Sequence, residues 1–77
     1  MISGPRPASH HGLPDWLNEG ARVFDPGREC EAIVQFIGDY EDPYTGRYMP
    51  NAVFLRPEGG GAEWIVAPDA LRPADGH

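Results

Sequence analysis

Seventy-seven residues hold one domain and no more. Six Arg and no Lys face twelve Asp and Glu, a formal charge of −6, and so acidic a field argues against a nucleic-acid partner, whose phosphates it repels. The lone Cys30 cannot form an internal disulfide, no apolar run approaches the ~18 residues of a membrane span, and Met1 to His11 lack a signal-peptide layout, so the sequence reads as soluble, cytoplasmic and without membrane contact.

Residues 1–14 carry Pro5, Pro7 and Pro14 with Gly4, Gly12, Ser3 and Ser9. Pro and Gly at that density do not sustain a helix or a central strand, so a flexible N-terminal arm is expected. Asp15 to Gly20 suits a short helical turn near residues 15–19, capped by Asp15 and ended by Gly20. Trp16 and Leu17 would tuck the arm onto the domain. Val23 and Phe24 begin the first strand. Asp25-Pro26-Gly27 is a turn signal, Pro presetting φ and Gly allowing φ > 0. Glu31 to Ile37 is a second strand by its β-branched and aromatic content. Its apolar residues fall on both faces, the pattern of a bent strand shared between two sheet faces.

Gly38 to Pro50 reads as a long loop of 13 residues with turn pairs Asp42-Pro43 and Thr45-Gly46. Asn51 to Arg56 is a third strand, Pro57 to Gly61 a hairpin loop and Trp64 to Val66 a fourth strand. Pro68-Asp69-Ala70 makes one tight turn before Leu71. The chain thus divides into the arm 1–14, a β domain 15–73 and a frayed tail 74–77.

The spacing Gly20-x-x-Val23-x-Asp25, Ala32-x-Val34, Val53-x-Leu55 and Trp64-x-Val66-x-x-x-x-Leu71-x-Pro73 resembles a Src-homology-3-like (SH3-like) barrel of the Tudor and KOW type. It covers about residues 20–73. The resemblance implies an all-β fold, a small five-stranded barrel. Fold alone does not give function.

The candidate chemistry gathers in the loop. Tyr40, Tyr44 and Tyr48, with Phe54 and Trp64, either form and cover the core or present an interaction surface, a role that suits an apolar ring with a polar tip. The resemblance implies a third use, an aromatic cage for a methylated cation. Asp39, Glu41 and Asp42 lack the alternate ligand spacing and distal Glu of an EF-hand, so a solvated cluster that attracts a basic partner is preferred to a metal site. His10 and His11, with His77 at the other end, fall short of the four fixed ligands of a structural zinc site. Cys30 lies between Glu29 and Glu31, a setting that disfavours a reactive thiolate. Gly59-Gly60-Gly61 is flanked by Glu58 and Glu63 and lacks the Lys of a phosphate loop. No catalytic signature appears, and no cofactor is implied. The sequence therefore points to a non-catalytic protein-interaction module, monomeric or weakly dimeric. Its contact residues are Asp39, Tyr40, Glu41, Asp42, Tyr44, Arg47 and Tyr48, and its partner is basic. One alternative is a nucleic-acid-associated barrel that gathers Arg22, Arg28, Arg47, Arg56 and Arg72 on one face. The other is a small-ligand binder, for which so small a barrel has little room to enclose a dry pocket of ~300 Å³.

Overall fold

The computed structural model describes residues 6–7 and 12–74. His10, His11, His77 and most of the expected arm lie outside these residues. The chain forms β1 (Arg6–Pro7), β2 (Arg22–Asp25), β3 (Cys30–Glu41), β4 (Tyr48–Pro57) and β5 (Trp64–Val66), then the one-turn 3₁₀ helix η1 (Pro68–Ala70) and β6 (Arg72–Pro73). All pairings are antiparallel, in the order β5-β4-β3-β2-β6, with β1 against the far end of β3. β2 to β5 contain the four strands placed at 23–24, 31–37, 51–56 and 64–66, β3 and β4 run on into the expected loop, β6 adds a two-residue strand after η1, and the fold is all-β. The sheet is open: β5 and β6 stand at its two ends and do not pair with each other among the described residues. Closure into a barrel, which the strand spacing suggests, is absent: the two end strands have only three and two residues, too short to pair across the gap.

Two bulges shape β3 and β4. The register runs Val34↔Leu55, then Phe36↔Phe54, so Gln35 is an extra residue in β3. This explains the mixed pattern of residues 31–37. Val34 and Ile37 both face the core although they stand three positions apart, because the bulge shifts the alternation between them. The second bulge adds a residue to β4 between Ala52 and Met49, where Asn51 adopts φ 54°. Asn tolerates this left-handed conformation better than most residues.

The core is one cluster of Leu17, Val23, Ala32, Val34, Ile37, Val53, Leu55, Trp64 and Leu71. Leu13 and Trp16 pack against it, so the segment before β2 does cover one sheet face. That segment is not a helical turn. Leu17 N–H donates to Pro14 O at 3.0 Å and Ala21 N–H to Asn18 O at 3.0 Å, which makes two successive turns. Asn18 Nδ2 bonds Asp15 O at 2.6 Å, and Gly20 holds φ 88°, so local side-chain bonding and a left-handed Gly win over helix propagation.

This segment also seals an edge. β2 pairs with residues 30–33 of β3, and β1 with residues 38–39. Between them Val34 exchanges backbone bonds with Gly20 and Ala21 at 2.8 and 2.9 Å, and Ile37 N–H donates to Glu19 Oε2 at 3.2 Å. A carboxylate thus occupies a gap in the ladder that would otherwise invite another strand.

Candidate functional site

The stretch 38–50 is mostly hairpin, not loop. β3 continues to Glu41 and β4 starts at Tyr48, leaving residues 42–47 as the connection. The predicted turn pairs sit there. Asp42 Oδ1 accepts from Tyr44 N–H at 2.8 Å and Thr45 N–H at 3.4 Å, and Gly46 N–H donates to Asp42 O at 2.8 Å. Arg47 closes the turn, its N–H on Thr45 Oγ1 and its carbonyl accepting from Asp42 N–H. Asp39 braces the bulge: its Oδ1 accepts from Asn51 N–H at 3.1 Å and its Oδ2 from the Tyr48 hydroxyl at 2.7 Å. Two of the three clustered acids therefore spend oxygens on the protein's own backbone, and only Glu41 is wholly at the surface. Among the described residues no three His, Cys, Asp or Glu side chains gather as for a metal.

The three tyrosines part company. Tyr44 stands at the tip, 95% exposed, and Tyr48 is 62% exposed beside Asp39. Tyr40 is half-buried, its ring 5.8 Å from Phe54 in an edge-to-face contact. Phe54 in turn meets Phe36 edge-to-face at 5.6 Å. Directly paired residues share a sheet face, so Phe36, Phe54 and Ile65 lie together, opposite the face of Ile37 and Val53. The same rule brings Ile33, Arg22 and Arg56 onto that outer face. Gly38 and Ala52, which pair with each other, are both buried and outside the core cluster. Phe54 is therefore not core. The outer strip is apolar and half-buried, and its rings lie outside the core cluster. The sequence signalled it only through the apolar residues on both faces of residues 31–37.

The arginines do not gather on one face. Arg22 is engaged by Glu58 and, at 3.8 Å, by Glu31. Arg28 lies over the Trp64 ring at 4.4 Å, Arg47 is in the hairpin turn and Arg72 is in β6. Cys30 is half-buried against the core, as a small apolar residue would be.

A groove of about 630 Å³ opens between the N-terminal turns, the start of β4 and η1. Leu13, Trp16, Met49, Pro68 and Leu71 supply its apolar walls, and Asn51, Asp69 and Arg72 its polar groups. It is larger than the space expected for so small a domain because it lies between elements at the surface and not inside a closed barrel. No helix among the described residues is long and apolar enough to cross a membrane. Comparison with protein-family models, curated proteins and solved structures finds no match for this chain.

Proposed function

We propose that this chain is a non-catalytic protein-interaction module. Its contact surface is the outer face of β3, β4 and β5, continued by Tyr48 and Tyr44 along the hairpin. The observation that carries the reading is the Phe36–Phe54–Tyr40 trio, packed edge-to-face on the side of the sheet away from the core. Aromatic rings fixed by edge-to-face packing and still partly accessible are the residues that dominate protein interfaces. The charge of −6 favours a basic partner and would speed its approach. The contact set keeps Tyr40, Tyr44 and Tyr48, with Glu41 and Arg47 at the rim. It assigns Asp39 and Asp42 to holding the hairpin. We group the sheet with SH3-like barrels of the Tudor and KOW type, supported by the strand order and the single η1 turn that links the two ends of the sheet.

The test is affinity capture from native lysate, followed by binding measurements with the purified partner. Phe54→Ser and the triple Tyr40/Tyr44/Tyr48→Ala variant are each expected to weaken affinity by at least ~tenfold, the scale of one lost interface anchor. Added salt is expected to slow association. Unchanged affinity in both variants, with folding verified by circular dichroism, would sink the reading. So would capture of single-stranded nucleic acid in place of a protein.

A further inference from the structure

The groove beside η1 holds an arrangement that the interaction surface does not use. Beside its apolar walls, one anion and one cation, Asp69 and Arg72, line it. Neither is joined in an ion pair, to the other or to any other described side chain, and both are exposed. The Arg72 guanidinium makes one bond, Nη1 to its neighbour's carbonyl, Leu71 O, at 3.5 Å. Two opposite charges that line one cavity without pairing remain open to a ligand that carries both.

A ligand with one charge fits less well. A carboxylate alone meets Arg72 but opposes Asp69 and the net charge of −6. An ammonium alone meets Asp69 but opposes Arg72. A zwitterion pairs with both and feels no net force from the overall field. Its apolar body would remove Trp16, Met49 and Leu13 from water. The volume lies within the ~300–1,000 Å³ typical of small-ligand pockets.

We propose that this groove binds a small zwitterion with an apolar body, of the class of a free amino acid with an aromatic side chain. Its ammonium pairs with Asp69, its carboxylate with Arg72, and its ring packs against Trp16 and Met49. The groove adjoins the interaction surface at Met49, the register partner of Tyr40, but Asp69, Arg72 and Trp16 are no part of that surface, and the proposal does not rest on the interaction reading.

Proton–nitrogen correlation spectra of the full chain test the proposal. L-phenylalanine, phenethylamine and hydrocinnamate are each titrated to about 10 mM, enough to register a millimolar dissociation constant. L-phenylalanine is expected to give saturable shifts at the amides of Leu13, Asn51, Asp69 and Arg72. The two singly charged analogues are expected to bind at least ~tenfold more weakly. Asp69→Asn and Arg72→Gln, both at exposed positions, are expected to abolish the preference for the zwitterion. No saturable shift around the groove would overturn the proposal. Equal affinity for all three compounds would overturn it as well, because it would leave a merely apolar cleft.

Discussion

Asp25 is the one polar or charged side chain classed as buried among the described residues, at 3% exposure. Its Oδ1 accepts from Gly27 N–H at 2.9 Å and its Oδ2 from Trp64 Nε1 at 2.8 Å. The first bond makes the turn after β2. The second reaches 39 residues along the chain to β5. The turn is legible in Asp25-Pro26-Gly27, but the reason for Gly27 is not the expected one. Gly27 is not among the residues with positive φ. A Cβ there would lie 3.3 Å from Asp25 Oδ1, while Glu29 takes the left-handed conformation at φ 54°. The bond to Trp64 was not legible at all, because local turn rules carry no information about a partner so distant in sequence. Asp25→Ala leaves a buried indole N–H without an acceptor and is expected to cost about 2–4 kcal/mol, read from urea denaturation. Trp64→Phe should interact with it non-additively in a double-mutant cycle. Additive losses would show that the two side chains do not stabilise each other.

The β3–β4 hairpin shows what element-scale reading misses. Its turn pairs stand out in the sequence, but the strands that enter it do not. Asp39 and Glu41 are poor strand formers, and Pro50 argues against a ladder. Pro50 is tolerated because it lies at a bulge, where the pairing is already interrupted. The hairpin then depends on Asp39, which ties the left-handed Asn51 and the Tyr48 hydroxyl to β3. Asp39→Ala removes both bonds at once. Amide hydrogen exchange in residues 48–51 is expected to accelerate by at least ~tenfold, the equivalent of one charge-assisted bond, while the core amides of Val34 and Leu55 keep their protection. Equal acceleration in both regions would mean that Asp39 supports the whole fold and not this hairpin.

A chain of this size buries only ~60% of its unfolded surface, so an open sheet with apolar residues on both faces leaves one face poorly covered. Here the N-terminal turns, through Leu13, Trp16 and Leu17, and Leu71 close over the Val34–Leu55 side. The Phe36–Phe54–Ile65 side lies outside that cluster and keeps its apolar residues half-buried. The strand sequence announced apolar residues but not their division between faces, because a single bulge at Gln35 inverts the alternation from there onward. Neighbouring residues on β4 therefore offer a direct comparison. Leu55 is fully buried and Phe54 half-buried, outside the core cluster. Leu55→Ala is expected to cost about 2–5 kcal/mol through a core cavity. Phe54→Ser gives up partly buried area and two edge-to-face ring contacts and should cost about 1.5–3 kcal/mol, still below the loss at Leu55. Chemical denaturation of the two variants, side by side, separates scaffold from surface. A smaller loss at Phe54 alongside impaired partner binding places the outer face among functional surfaces. A loss as large as that at Leu55 would make Phe54 a second core, and the interaction reading would lose the aromatic trio on which it rests.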